Sequence, residues 1–188
     1  MASGQGQARG GNSIPSRHLT DIRPERPSDA RAVWTAHEAA FGRPDEARIA
    51  AHLRPQVSPL VSLVAEEAGR VVGHVVFSPV TVEGDRPGPP AGALGPVGVL
   101  PSEQSRGVGS ALIRAGLEAI HVLDWRLLFV LGNPAYYGRF GFALAAPHGL
   151  HYESHAFDAA FQVHELVPGV LAGVTGFVRY PAAFSDLS

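Results

Sequence analysis

The stretch that decides the fold is residues 94–120, LGPVGVLPSEQSRGVGSALIRAGLEAI. An apolar run ends at Leu100, a polar turn follows, and Gly107-Val108-Gly109 opens a segment whose apolar residues recur at helical spacing. This order predicts a strand, a turn and a helix. Glycine lets the main chain approach a ligand closely, and a helix start offers N–H groups without partners inside the helix. The stretch therefore predicts a turn that binds an anion through main-chain donors.

The composition excludes several classes of function. Cysteine is absent, so disulfides, thiolate metal sites and a cysteine nucleophile are excluded. All 15 basic residues are arginine, which removes a Schiff-base lysine and the lysine of a nucleotide-binding P-loop. The formal net charge of -2 gives no electrostatic reason to expect a nucleic acid or a membrane surface as a partner.

The length of 188 residues suits one domain, which we expect to span residues 19–188. Residues 1–18, MASGQGQARGGNSIPSRH, are rich in Gly, Ser and Gln and lack the apolar centre of a signal peptide. We expect them to form a flexible tail on a cytoplasmic protein. No apolar run reaches the roughly 18 residues that a membrane span needs.

The rest of the chain mixes helical and strand patterns. A pair of β-rich runs meets at Ala68-Gly69, which is typical of a hairpin. The other predicted elements are helices near residues 29–41, 45–53, 107–121 and 134–137, strands near 19–23, 94–100 and 125–132, and short strands with a brief helix near 158–163 after residue 149. This order predicts an α+β fold with a mixed sheet.

Three phosphate-binding motifs could account for the Gly-Val-Gly turn. A P-loop fails because the chain has no lysine. A dinucleotide fingerprint would need a glycine where Leu112 stands, and it would not lie in mid-chain after an antiparallel region. The third motif, Q/R-x-x-G-x-G/A, matches QSRGVG at residues 104–109, which thus resembles the pyrophosphate loop of the GNAT superfamily of N-acetyltransferases. A strand-to-helix turn without a ligand is the alternative for this hexapeptide.

In that family the loop holds the diphosphate of coenzyme A. The helix start would add unpaired N–H donors and a partial positive charge, and Arg106 would add a full charge at the rim. The hydroxyl or N–H of Ser110 would support the same group. The resemblance therefore implies cofactor contacts from Gln104, Ser105, Arg106, Gly107, Val108, Gly109 and Ser110.

Residues 125–144, WRLLFVLGNPAYYGRFGFAL, resemble the next GNAT block of strand, Asn, short helix, Tyr and Gly-Phe. The resemblance implies that Asn133 and Tyr136 contact the cofactor. It also implies that Tyr137, four residues before Gly141-Phe142, lies near the thioester sulfur as the catalytic acid. A phenol with the usual pKa of about 10 is protonated at neutral pH and can give its proton to a leaving thiolate. Packing aromatics are the alternative for both tyrosines.

The strand before the loop, LGPVGVLP, contains Gly95-Pro96, which favours a β-bulge. In GNAT proteins such a bulge splays this strand from the next one and leaves a V-shaped gap. The resemblance implies that pantetheine amides pair with the edge at Val97, Gly98 and Val99, as an added strand would. An N–H near Val99 would then stabilise the oxyanion. A regular buried strand is the alternative.

The resemblance covers about residues 22–184, including a C-terminal segment similar to that of a bacterial subgroup whose substrates are mostly unassigned. It implies a GNAT fold, with a mostly antiparallel twisted sheet of six to seven strands, a splayed parallel pair and about four flanking helices. It implies an acetyl-CoA-dependent N-acetyltransferase without a metal, acting on a small-molecule or peptide amine. The alternative is a domain of the same fold that binds acyl-CoA as a sensor without transfer. The apolar strand GVTGFVRY could pair across a homodimer.

No residue stands out as a general base. The bulged strand carries no carboxylate. Glu38, Glu66, Glu67 and His74 are candidates on neighbouring elements, and a bound water or an amine that arrives neutral is the alternative to all four.

His148, His151 and His155 lie close together in HGLHYESH. A helix would place His151 and His155 on one face, as a metal site needs, but Gly149 and the aromatic flanks favour a strand or loop. A substrate contact and an ordinary surface position are the other interpretations, and we expect no metal.

Overall fold

The computed structural model describes residues 20–185, so the tail predicted at residues 1–18 lies outside the described residues. Within them are nine strands and four α-helices. The strands are β1 (Asp21–Pro24), β2 (Val61–Glu67), β3 (Arg70–Glu83), β4 (Ala91–Val99), β5 (Leu127–Leu131), β6 (Ala143–Leu144), β7 (Leu150–Tyr152), β8 (Phe161–Glu165) and β9 (Gly176–Arg179). The helices are α1 (Ala30–Phe41), α2 (Asp45–Gln56), α3 (Val108–Ala119) and α4 (Pro134–Tyr137). None of the helices in this part of the chain is long and apolar enough to cross a bilayer.

The sheet is mixed and open, which confirms the predicted α+β class. Its main path runs β1-β2-β3-β4-β5-β8-β6 and is antiparallel except between β4 and β5. The 14-residue strand β3 also pairs with β9, which in turn pairs in parallel with β7. The count of nine exceeds the six to seven expected because β6 and β7, of two and three residues, are too short for a pattern to reveal.

Strand β9 has neighbours on both sides. Its residues pair with β3 on one edge and, in part, with β7 on the other. The expectation that this C-terminal strand offers an edge to a second copy is therefore wrong, because the chain's own strands occupy it.

The helix expected near residues 158–163 is also wrong. A short 3-10 turn, His155–Phe157, comes first, and the strand β8 begins at Phe161. Phe161, Gln162 and Val163 are all buried, because β8 fills the sheet between β5 and β6. Pairing on both edges thus outweighs the weak local helical preference.

The helices form layers on both faces of the sheet. On one face, α1 packs so tightly on β4 that a Cβ at Gly98 would lie 2.6 Å from Nδ1 of His37. On the other face, a Cβ at Gly116 of α3 would overlap the buried ring of Phe77. These two glycines let both helices lie close against the central strands.

The bulge and the gap predicted in β4 are both present. Val97 pairs with Val75 and Leu94 pairs with Phe77, so Gly95 and Pro96 together face a single residue of β3. Beside it, β4 pairs with β5 only from Ala91 to Ala93, although β4 continues to Val99. The two parallel strands therefore separate beyond Ala93 and leave an opening between them.

Candidate active site

The pyrophosphate-type loop ends in the first turn of α3. Gly107 caps the helix at φ 91°, a left-handed conformation that glycine adopts without strain. The first intrahelical bond runs from the Ala111 N–H to the Gly107 oxygen at 2.9 Å. The N–H groups of Val108, Gly109 and Ser110 therefore have no acceptor within the helix and are available to an anion.

A cleft of about 440 Å³ lies in front of this turn. Gly109 borders this cleft and faces the Tyr136 hydroxyl. A Cβ at this position would lie only 2.9 Å from the Tyr136 oxygen, so the close approach requires glycine. Eight of the twelve residues predicted to bind the cofactor line it, namely Val99, Gln104, Ser105, Gly107, Val108, Gly109, Ser110 and Tyr136.

The charge at this cleft comes from an arginine that the sequence pattern does not indicate. Arg139 lines the cleft, lies over the Tyr136 ring with its guanidinium 4.5 Å from the centroid, and reaches the Ser110 hydroxyl at 3.5 Å. Arg106, predicted for this role, forms ion pairs with Glu103 and Glu67 instead. Arg106 was predicted because it belongs to the loop, whereas Arg139 lies 33 residues later and is brought to the cleft by the turn that follows α4.

The edge of β4 presents main-chain groups to the opening. The Leu100 N–H donates to the Val72 oxygen at 2.9 Å, so Leu100 and, two residues earlier, Gly98 face β3. By the alternation of an antiparallel ladder, the polar groups of Val97 and Val99 point to the other side, into the gap. The Gln104 amide donates to the Val99 oxygen at 3.0 Å, which fixes the end of this edge.

Gly98 has a different place from its two neighbours. Its main chain faces β3, and the missing side chain makes room for the ring of His37. Of the three strand residues predicted to meet the cofactor, Val97 and Val99 border cavities and Gly98 packs against α1.

A second cavity of about 450 Å³ adjoins the first and shares Tyr136 with it. Tyr137 lines this second cavity, where burial, with a smaller effect of Tyr136, raises the pKa of its hydroxyl to about 12. The phenol is thus protonated over a wider pH range than an exposed tyrosine. Gly132 lies beneath the ring, where a Cβ would overlap it.

Asn133 holds the helix that carries both tyrosines. Its Oδ1 accepts a hydrogen bond from the Ala135 N–H at 2.9 Å, as an N-cap residue does. Its main-chain oxygen accepts from the N–H groups of Tyr136 and Tyr137 at 3.0 and 3.1 Å. Asn133 also lines the second cavity. It therefore lies at the candidate site and caps α4 as well.

None of the four candidates for the general base lines either cavity. Glu66 forms an ion pair with Arg23 at 2.6 Å, and Glu67 accepts a hydrogen bond from Thr20. His74 is buried in the sheet. Glu38 is exposed on α1.

The carboxylate that lines the second cavity is Glu46, in the first turn of α2. It is held by Arg43, with Nη2 to Oε1 at 2.6 Å, and its side chain is 12% exposed. In the sequence it resembles any acidic residue at a helix start, so no local signal distinguished it.

Two of the three clustered histidines contact each other, away from the cavities. The His151 Nδ1 donates to the Asp158 carboxylate at 2.8 Å and lies 3.1 Å from the His155 Nδ1, and the three possible ligand atoms lie within 4.8 Å of one another. His151 lies on β7 next to Tyr152, whose ring lines the second cavity. Because side chains alternate along a strand, His151 faces the opposite way and does not contribute to that cavity.

Comparison with known proteins identifies the family. The model of the acetyltransferase (GNAT) domain matches residues 21–145. The uncharacterized N-acetyltransferase YhbS of Escherichia coli is 38% identical over 170 residues, which is 87% of this chain and 98% of YhbS. The uncharacterized N-acetyltransferase YjhQ of Escherichia coli is 38% identical over 127 residues, which is 66% of this chain and 67% of YjhQ.

Two solved structures extend this similarity to three dimensions. Escherichia coli YhbS in complex with CoA superposes with a TM-score of 0.83 at 32% identity, over 95% of this chain and 98% of that one. A GNAT family acetyltransferase from Brucella melitensis, in complex with acetyl-CoA, superposes with a TM-score of 0.72 at 37% identity, over 89% and 99%. With the splayed strands and the loop in place, this chain belongs to the GNAT family of N-acetyltransferases.

Proposed function

We propose that the protein transfers an acetyl group from acetyl-CoA to a primary amine of a small molecule or peptide by direct attack in a ternary complex. One observation carries this proposal: the unpaired N–H groups at the start of α3 and the free main-chain edge of Val97 and Val99 border adjoining cavities. The complexes of the two relatives with CoA and acetyl-CoA support the same ligand.

The residues fit each part of such a ligand. The N–H groups of residues 108–110 and the Arg139 guanidinium suit a diphosphate. The edge of Val97 and Val99 suits the two amides of pantetheine, which can pair with it as a short strand would. The thioester end then enters the second cavity beside Tyr137.

The chain's groups suit an acyl transfer. The acyl donor supplies a thioester, whose carbonyl carbon forms a bond to the amine nitrogen while its bond to sulfur breaks. A main-chain N–H of the β4 edge near Val99 stabilises the oxygen as it becomes negative. Tyr137 gives its proton to the departing sulfur, and the proton that the amine nitrogen loses restores the phenol. A pKa of about 12 keeps Tyr137 protonated until the sulfur becomes negative.

The Tyr137→Phe variant tests this role. It removes the acid without removing the ring, so we expect release of CoA thiol with a reactive amine to fall by about 10² to 10⁴. CoA affinity, measured by calorimetry, should stay within about threefold of the wild type and thereby report an intact cofactor site. Equal rates of thiol release from wild type and variant would exclude Tyr137 as the acid.

A second candidate function is a domain that binds acyl-CoA without transferring the acyl group. The observation in its favour is that no residue of β4, AGALGPVGV, is a carboxylate that could take a proton from the amine. Tight CoA binding together with no acetylated product from any amine would favour this sensor, and one confirmed product would exclude it.

A further inference from the structure

We propose that the acceptor is a monoamine carried on an aromatic body, bound in the second cavity; the inference deepens the proposed function and rests on it. The walls of this cavity are mainly apolar. Phe41, Ile49, Leu131 and Phe184 contribute to them, and Phe41 and Leu131 are left 42% and 39% exposed at the surface. Large apolar side chains left in contact with water at a cavity favour a ligand that covers them.

The charged groups that line the cavity favour an acceptor with a single positive charge. Glu46 is the one acidic side chain among the described residues that line it. The Arg43 guanidinium contacts both oxygens of this carboxylate, at 3.3 and 2.6 Å, and each oxygen keeps a second lone pair that can accept from an ammonium group. A polyamine or an aminoglycoside would bring several ammonium groups into apolar walls without partners, which is costly.

A buried phenol indicates a polar atom on the ligand's body. Tyr180 lines this cavity, and its hydroxyl is fully buried with no hydrogen-bond partner among the described residues. Its ring is held edge-on by Tyr152 and Phe184, with both centroids 4.9 Å away. A buried donor without a partner is unfavourable, so a ligand with a matching acceptor gains from meeting it. These contacts suit a monoamine whose aromatic ring carries a hydroxyl or similar group.

Tyramine is a probe of this chemistry, and its two halves can be tested separately. Ethylamine lacks the ring, and spermidine adds charges. With acetyl-CoA and the wild-type protein, we expect kcat/KM for tyramine to exceed that for ethylamine and for spermidine by at least about tenfold, the ratio that 1.4 kcal/mol of differential binding gives. Calorimetry of tyramine with the CoA-loaded protein measures binding without turnover.

Two variants assign the contacts. Glu46→Gln removes the charge, and we expect the KM for tyramine to rise about tenfold while the KM for acetyl-CoA stays within about twofold. Tyr180→Phe removes only a hydroxyl and should raise the KM for tyramine about threefold. Glu118→Gln, an exposed carboxylate on α3, is the matched control and should change neither value.

The outcomes separate this inference from the proposed function. Preferential acetylation of spermidine or ethylamine would overturn the aromatic acceptor and leave the acetyltransferase intact. Tyramine binding to the CoA-loaded protein without any product would support the cavity's chemistry and contradict catalysis. No tyramine binding, with CoA still bound, would overturn the aromatic acceptor, and only the absence of product from every amine tested would overturn the proposed function as well.

Discussion

Among single residues, two arginines near the loop have partners that their sequence positions do not suggest. Arg106 belongs to the loop, yet Glu103 and Glu67 hold its guanidinium. Arg139 is remote in sequence, yet it borders the cleft, and the Tyr136 ring and main-chain oxygen fix its direction. The sequence predicted the turn at residues 104–109 and the helix that follows it, but side-chain direction depends on partners that only the folded chain supplies.

The two arginines can be compared directly. We expect Arg139→Gln to weaken CoA binding by about 10- to 100-fold, because it removes a charge-assisted contact with the diphosphate. Arg106→Gln should change CoA affinity by less than about threefold. Calorimetry with CoA and with pantetheine, which lacks the diphosphate, measures both; the Arg139 effect should appear only for CoA. A larger loss from Arg106→Gln would restore the original assignment.

At the scale of elements, the sequence predicts what local chemistry determines. Ala68-Gly69 forms the expected hairpin with φ 49° and 76°, Gly95-Pro96 forms the bulge, and α4 begins after Asn133 as expected. The strand β8 and the cavity carboxylate Glu46 were missed, because strand pairing and the arrangement of α2 around a cavity arise from contacts distant in sequence. Local signals thus predict turns, bulges and helix starts, and tertiary contacts decide the rest.

Gly116 of α3 allows the helix propensity of a residue to be compared with its packing in the folded protein. Alanine is favoured over glycine in a helix by about 1 kcal/mol, so Gly116→Ala would stabilise an isolated helix. In the folded protein the added Cβ would overlap the fully buried Phe77 ring. We therefore expect the free energy of unfolding in urea to fall by about 1–3 kcal/mol. Gly138→Ala, where a Cβ meets no atom within 4 Å, is the control and should cost less than about 0.5 kcal/mol.

At the scale of the whole molecule, one buried polar network joins the two N-terminal helices to the sheet. The His37 Nε2 lies 2.8 Å from the His74 Nδ1, and the His74 Nε2 lies 2.7 Å from the Ser62 hydroxyl. Ser62 donates to Glu25 at 2.5 Å, and Arg54 of α2 forms an ion pair with the same carboxylate. This network connects α1, α2, β2 and β3 behind β4, so its protonation state affects the scaffold of the site.

Burial makes this network sensitive to acid. It lowers the pKa of His37 to about 3, with smaller effects of His74 and Arg54, and it also lowers the pKa of His74. Burial alone would raise the pKa of Glu25, but hydrogen bonds from His74, Arg54 and Ser62 outweigh it and hold that pKa at about 2. All three groups therefore bind protons more readily in the unfolded chain than in the folded one.

The sign of the pH dependence follows from that difference. A histidine whose pKa is lowered on folding stabilises the protein fully above its unfolded pKa of about 6.5, and this contribution falls as pH drops towards the folded pKa. Below pH 6.5, urea unfolding should show the free energy falling, with a slope for His37 that approaches about 1.4 kcal/mol per pH unit by pH 5, and His74 should add to the fall. Glu25 adds to the loss only below about pH 4.5. His37→Asn should flatten the slope, whereas His121→Asn, at an exposed position, should leave it unchanged. A free energy of unfolding that is constant from pH 7 to 5 would show that these histidines bind protons equally well in the folded and unfolded chains, which contradicts their lowered pKa values.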